Sequence, residues 1–249
     1  MPYLAHLPLI VVGLGVVLFL QMILIPVYRW VFGSGAERIG ISVGVLLQAL
    51  LVATVLITGT DLGTAAITVL LIPVFGFLIE FVGSRTGFPF GDYHYTDVLR
   101  PQIGHVPVII PLAWLMMLPP AWAVATRIVG TEAAVWLHAL VGGLAFAAWD
   151  LFLDPQMVKW DFWRWNRTGR YFGIPLINFF GWFVSAFFIT LVAHFLVPGV
   201  VRTPGAVLIL VYGLTWVLET IAQLVFWDLK GPGVIGAVVM GAVVLSAFL

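Results

Sequence analysis

Residues 63–82 read GTAAITVLLIPVFGFLIEFV, apolar almost throughout, with a single ionisable side chain, Glu80, near one end. About 20 such residues cross the hydrocarbon core of a bilayer as a helix, so this stretch decides the fold class: it is a membrane span. The pattern recurs further along the chain. The run from Ala133 carries Asp150 and the run from Gly205 carries Glu219, each near the same end of its segment. A charged side chain at membrane depth is costly, faces the protein interior, and marks a proton path, an ion path or a catalytic site. Three at matching depth point to a shared pocket.

Composition agrees. Of 249 residues, 62% are hydrophobic and 9% charged, and the mean hydropathy is +1.13; too little polar surface remains for a water-soluble globule. Formal charge is zero and the 11 basic residues are dispersed, with no block able to track a phosphate backbone, so nucleic acid is not an expected partner. The absence of cysteine removes disulfides, thiolate catalysis, iron–sulfur ligation and cysteine–zinc sites. The first apolar run lacks the basic start and small-residue cleavage site of a secretory signal and reads as a retained span.

The expected fold is an all-α, polytopic membrane helix bundle in a single domain over residues 1–249. Eight spans are expected: Leu7–Tyr28, Ile39–Thr58, Gly63–Val82, Val106–Val129, Ala133–Leu153, Pro175–Val197, Gly205–Trp227 and Gly233–Leu249, or seven if the short, Gly-rich last one is set aside. Two connections, Gly83 to His105 and Asp154 to Ile174, are long and dense in aromatic and ionisable residues, as functional loops are. With the N-terminus outside, the inner loops hold Arg29, Arg38, Arg85, Arg100, Lys159, Arg164, Arg167, Arg170 and Lys230, leaving Arg127 and Arg202 outside. Positive charge collects on the cytoplasmic side, so the orientation predicts a multi-pass protein of the cell membrane whose carboxylates and long loops share the cytoplasmic face.

Asp150 and Asp154 are spaced i, i+4 in WDLFLDPQ (149–156) and share one helix face if the helix continues that far; Pro155 is expected to end or kink it. Plainer roles are open to each residue: Asp154 as a polar stop, Asp150 as a partner of Arg164 or Arg85, Glu80 as a partner of Arg85, and Glu219 in a helix–helix hydrogen bond with Thr220 and Gln223 nearby. In the first loop, GSRTGFPFGDYHYTD (83–97), Asp92, Tyr93, His94 and Tyr95 are placed to line a wet mouth. The second, KWDFWRWN (159–166), supplies Trp160 and Trp163. Some of these aromatics serve as an interfacial belt, but aromatic faces also stabilise cations. Asn178 starts the sixth span on the same side, to orient a water or cap the helix.

Several chemistries fit poorly. A retinal Schiff base needs a membrane-embedded lysine, and Lys159 and Lys230 both fall in loops. Five scattered histidines do not supply a di-iron site, and His138 and His194 read more simply as hydrogen-bonded core residues than as haem ligands. No second Asp-rich helix accompanies Asp150 and Asp154 to hold a magnesium diphosphate, and a transporter's repeat symmetry is missing. No metal site is expected.

At FLIE (77–80) through Asp92–Tyr95, at WDLFLDP (149–155) and at GIPLINFFGW (173–182), the chain resembles the integral membrane carotenoid biosynthesis family, which contains carotenoid 1,2-hydratases acting on gamma-carotene and bisanhydrobacterioruberin hydratases. The resemblance extends over nearly the whole chain. It implies addition of water to the terminal double bond of an acyclic carotenoid end, on an acyclic or monocyclic substrate in the bilayer, with no cofactor and with other carotenoid-pathway enzymes as neighbours.

The residues suit that chemistry. Hydrating a trisubstituted alkene takes protonation of the less substituted carbon, a tertiary cation, and capture by water; a desolvated carboxylic acid is a fitting donor. Asp150 or Glu80 is expected to give the proton and Asp154 or Asp92 to position the water. Trp160, Trp163, Tyr93 or Trp182 would stabilise the cation, Arg85 or His94 would tune acidity, and Asn178 and Glu219 would contact the substrate. A membrane lycopene cyclase begins with the same protonation, and a non-catalytic carotenoid- or lipid-binding protein would use the carboxylates for assembly alone.

Overall fold

The computed structural model describes residues 7–201 and 205–249; Arg202, counted above on the outer side, lies outside them. Among the described residues the chain forms α1 (Leu9–Phe32), α2 (Ser34–Gly59), α3 (Leu62–Thr86), α4 (Ile109–Val129), α5 (Val135–Lys159), α6 (Leu176–Leu196), the short α7 (Pro198–Val201), α8 (Ala206–Ile221), a π-helical turn (Ala222–Phe226) and α9 (Lys230–Ser246). Seven of these segments, α8 taken with its π turn, are long and apolar enough to cross a membrane. The expected eighth, α9, has 17 residues, about 25 Å at 1.5 Å per residue, and falls short of the ~30 Å hydrocarbon core. The protein is a polytopic all-α bundle.

The bundle is built around α4, whose apolar window is 83% buried, against 28% for α1. Helices α2, α3, α5 and α8 pack on it, α6 and α9 pack on α5, and α1 packs on α2. In lipid every backbone group needs an internal partner, and the prolines within spans show how this is met. Pro155 lies inside α5 and removes the donor to the carbonyl four residues earlier; that carbonyl, Leu151 O, accepts instead from Tyr171 Oη at 3.0 Å. The helix runs on to Lys159, so of the two expected effects Pro155 does not end it, and Asp154 stays helical. Pro120 does the same to Met116 O in α4, which accepts from Gln48 Nε2 at 3.2 Å. Hydroxyls such as Thr68, Thr190 and Thr215 donate to carbonyls four residues back, so they add no unpaired donor to the membrane.

The ends of α3 show ordinary local chemistry. Asp61 caps the N-terminus by accepting from Thr64 N at 2.9 Å, and the helix stops at Gly87, whose φ of 75° is a left-handed conformation that glycine adopts without strain. The following loop is more ordered than a turn-rich stretch predicts. Its β1 (Tyr93–Tyr95) pairs antiparallel with β4 (Trp163–Trp165) of the second long loop, with Tyr93 opposite Trp165, His94 opposite Arg164 and Tyr95 opposite Trp163. β2 (Gln102–Ile103) and β3 (Val106–Pro107) form a second ribbon, so the fourth span begins at Ile109 rather than Val106. The β1–β4 ribbon seals the end of the bundle where α3 and α5 finish and α6 begins.

Candidate active site

Strand alternation turns Tyr93 and Tyr95 inward and His94 outward. Both phenols reach Glu80 on α3: Tyr93 Oη donates to Oε2 at 2.6 Å and Tyr95 Oη to the same oxygen at 2.7 Å. Trp114 Nε1 on α4 donates to Oε1 at 3.3 Å. Burial first, and then the nearby Glu80 carboxylate, push both phenols well above the ordinary tyrosine range, so both hold their protons as donors at neutral pH. Glu80 is thus a buried carboxyl with three donors aimed at it, the arrangement an acceptor-only carboxylate requires.

The second cluster is organised by Asn178 on α6. Trp182 Nε1 donates to Asn178 Oδ1 at 3.1 Å, which fixes the amide with its NH2 toward α5. That NH2 donates to Asp150 Oδ2 at 2.8 Å and also to Asp154 Oδ2. The i, i+4 spacing therefore does set both aspartates on one helix face, joined through one amide. Trp163 Nε1 donates to Asp154 Oδ1 at 2.5 Å. Asp150 Oδ1 is buried with no hydrogen-bond partner.

Glu80, Asp154, Asn178, Trp163, Trp182 and Glu219 line one cavity of about 120 Å³. A cavity of roughly 150 Å³ accommodates a benzene molecule, so the end of a hydrocarbon fits here and a whole long chain does not. The wall is aromatic: Trp182 stacks on Trp114 with ring centroids 4.8 Å apart and planes 6° from parallel, and Trp149 meets Trp182 edge-on at 6.5 Å. Of the three carboxylates expected to share a pocket, Glu80 and Glu219 line the cavity and Asp150 does not; the short α7 does not cross, so the directions of the third, fifth and seventh spans are as expected. From the fifth span Asp154 meets the cavity, whereas Asp150 stands one helical turn back from it.

Other expected residues lie elsewhere. Asp92 is exposed and accepts from Asn166 Nδ2 at 2.7 Å; His94 is exposed, with Nδ1 2.9 Å from Asn166 Oδ1. Neither belongs to the cavity wall, since the strand that turns Tyr93 and Tyr95 in turns its neighbours out. Arg85 pairs with none of the carboxylates. Its guanidinium lies 3.6 Å over the Phe81 ring and Nη1 donates to Phe81 O at 3.0 Å. Arg164 is bound to Asp161, with Nε 2.5 Å and Nη2 2.9 Å from its carboxylate oxygens. That contact with Arg164 holds Asp161 below the usual carboxylate range. The alternative roles as ion-pair partners of Glu80 and Asp150 are therefore not taken up. Trp160 is buried and packs edge-on against the cavity-lining Trp227 at 4.9 Å, one ring removed from the cavity. At the far end of the bundle, His138 and His194 bond to each other, Nδ1 to Nε2, at 3.1 Å.

Sequence reasoning missed Trp114, Gln48 and Gln156. Trp114 carried little signal, because a tryptophan in the first two turns of a span also fits the interfacial belt. Gln48 and Gln156 line the cavity, and a glutamine inside an apolar span is itself a sign of an internal partner.

A protein-family profile described as "Carotenoid biosynthesis protein" matches residues 40–245. A segment of 123 residues is 31% identical to the bisanhydrobacterioruberin hydratase of Haloarcula japonica, covering 49% of this chain and 42% of that relative. No solved structure matches. The family match takes in α3, α5 and α6 with both long loops, which together supply the two carboxyl clusters, and the chain belongs to the carotenoid biosynthesis family.

Proposed function

We propose that the protein is a carotenoid hydratase, adding water to the terminal double bond of an acyclic end group. The observation that carries this reading is one largely apolar, tryptophan-walled cavity lined by three carboxyl groups, of which Asp154 and Glu80 are held by separate sets of donors. Alkene hydration needs two such groups, one to give a proton and one to take a proton from water.

In this reading Asp154 delivers the proton to the less substituted alkene carbon, while Asp150, held to the same Asn178 amide, stands behind it as a like-charged neighbour. The π bond supplies the electron pair for the new C–H bond and leaves a tertiary cation. Trp182, Trp163 and Tyr93 present aromatic faces to that cation, an attraction of about 2 kcal/mol per well-placed ring when desolvated. Water adds to the cation, and Glu80, kept as an acceptor by its three donors, takes the proton released. The net change is one water added, and solvent exchange returns the proton from Glu80 to the aspartate pair. Asp150 as the direct donor and Asp92 as the water-positioning group receive less support, since neither reaches the cavity wall. With the N-terminus outside, this chemistry lies toward the cytoplasm.

The test is expression in bacteria accumulating lycopene, gamma-carotene or a longer acyclic carotenoid, in oxygen-labelled water, with pigments resolved by liquid chromatography and mass spectrometry. A product heavier by one labelled water supports the hydratase. An isomer of unchanged mass would make the protein a cyclase, and bound but unaltered pigment a carotenoid-binding protein.

A further inference from the structure

The cavity holds the end of a hydrocarbon, so the rest of a long rigid polyene must leave between helices. Two seams are pertinent. Between α3 and α6 the passage is filled by Phe90, which is buried; a Cβ placed on Gly83 or Gly181 would lie 2.8 Å from its ring carbons. Between α2 and α8 the helices meet sparingly, and the cavity wall includes Gly44 and Gln48 from one side and Thr215 and Glu219 from the other. Helix α1 lies across this second seam. Its Val11 and Leu18 share a small core cluster with Leu51 of α2 and Val211 of α8, and its Met22 and Ile25 reach the cavity itself.

The α1 segment that reaches the cavity is held in place. Gln21 Nε2 donates to Gly40 O at 2.8 Å, Tyr28 Oη donates to Gln21 Oε1 at 3.0 Å, and Arg29 Nη1 bonds Glu37 Oε2 at 3.3 Å. These contacts bracket Met22 and Ile25 and fix their height against α2. The family match begins at residue 40, so α1 lies outside the part of the chain it covers, and the two side chains it adds to the cavity are outside it too.

We propose that the α2–α8 seam, roofed by α1, is the binding channel for the polyene chain of the substrate, and that Met22 and Ile25 set how bulky a chain it takes. The occupant is the continuation of the hydrocarbon whose end fills the cavity, so the proposal rests on the hydratase reading. Apart from Ser42, Gln48, Thr215 and Glu219, the wall here is hydrocarbon, with Met22 and Ile25 of α1 and Ile41 and Val45 of α2, the lining a polyene requires. Selectivity comes from shape, the modest kind available where no hydrogen bond is read.

Met22→Trp and Ile25→Trp narrow the channel without touching a carboxyl group, and Phe180→Trp, on an exposed face of α6, serves as the control. Each is assayed with a long carotenoid and with a short acyclic isoprenoid hydrocarbon bearing the same terminal double bond, and pigment co-purifying with the protein is measured alongside. The channel variants are expected to lower kcat/KM for the long substrate about tenfold more than for the short one, and to lose bound pigment; Phe180→Trp changes nothing. Met22→Ala, which widens the channel, keeps or raises pigment retention. Equal loss with both substrates would reduce α1 to a structural role, and loss confined to Phe180→Trp would move the channel to the α3–α6 seam; either overturns the proposal. If the wild type retains pigment yet makes no hydrated product, the hydratase reading fails by itself. The channel then stands if the tryptophan variants lose that pigment and falls if they keep it.

Discussion

Glu80 and the Asp150–Asp154 pair are both buried in the same end of the bundle, yet their surroundings differ in kind. Glu80 is surrounded by donors, two phenols of β1 and an indole of α4. The aspartates share one amide, and one of their four oxygens has no partner. Glu80, with three donors on its two oxygens, is held as a fixed acceptor, whereas the two aspartates are brought together on one amide, where two like charges favour keeping a proton on the pair. The contrast teaches that burial by itself does not assign a role; the count and direction of donors does.

The largest test of this contrast is Asp154→Asn, expected to lower turnover about 10²–10⁴-fold, the range for losing a general acid, with membrane insertion intact on fractionation. Asp150→Asn, one turn removed from the cavity, should lose less; equal losses would merge the two into a single unit. Glu80→Gln comes next, with a fall of about 100-fold in product formation and retained pigment binding. Tyr93→Phe and Tyr95→Phe each delete one charge-assisted hydrogen bond, about 1.5 kcal/mol or roughly tenfold in rate. Trp114→Phe, deleting the longer 3.3 Å bond, should cost less than either. A larger effect from Trp114 than from both tyrosines would break the donor-count argument.

Smaller effects test the frame. Tyr171→Phe leaves Leu151 O without its donor and should lower stability in detergent by about 0.6 kcal/mol. Pro155→Ala restores the intrahelical donor, so the two changes should be non-additive in a double-mutant cycle. Additivity would mean that Tyr171 does not compensate for the proline. The smallest concerns Asp161, whose carboxyl Arg164 holds below its ordinary value. A group whose folded value is depressed adds stability above its unfolded value of about 3.9 and loses it as pH falls through the folded one. Asp161 is an exposed surface partner, so Asp161→Asn should slightly flatten the acid limb of tryptophan-monitored unfolding and leave neutral stability almost unchanged.

Much of this organisation is legible in the sequence. One carboxylate at matched depth in each of three parallel spans predicts that Glu80, Asp150 and Glu219 share a pocket; Glu80 and Glu219 do line one cavity, but the fifth span contributes Asp154 in place of Asp150. The i, i+4 spacing predicts a shared face for Asp150 and Asp154. The alternations Tyr93–His94–Tyr95 and Trp163–Arg164–Trp165 carry a period of two, which separates inward aromatics from outward charges; reading them as loop let His94 and Asp92 stand beside the tyrosines as candidates. Strand pairing between the two loops was hidden because register depends on a partner about 70 positions away. The continuation of α5 past Pro155 was hidden for the same reason, since the rescuing donor, Tyr171, is remote in sequence. Local propensity speaks for the neighbours of a residue and not for a partner that only tertiary packing supplies.

The division of labour between the two clusters is most directly tested by incubating wild type, Asp154→Asn and Glu80→Gln with the carotenoid in deuterated water and measuring deuterium in recovered substrate and in product. If the aspartate pair protonates and Glu80 serves the water, Glu80→Gln incorporates deuterium into recovered substrate while making little alcohol, because the cation forms and reverts. Asp154→Asn then shows neither deuterium nor alcohol. Deuterium incorporation by Asp154→Asn with none in Glu80→Gln would contradict the assignment and exchange the two roles.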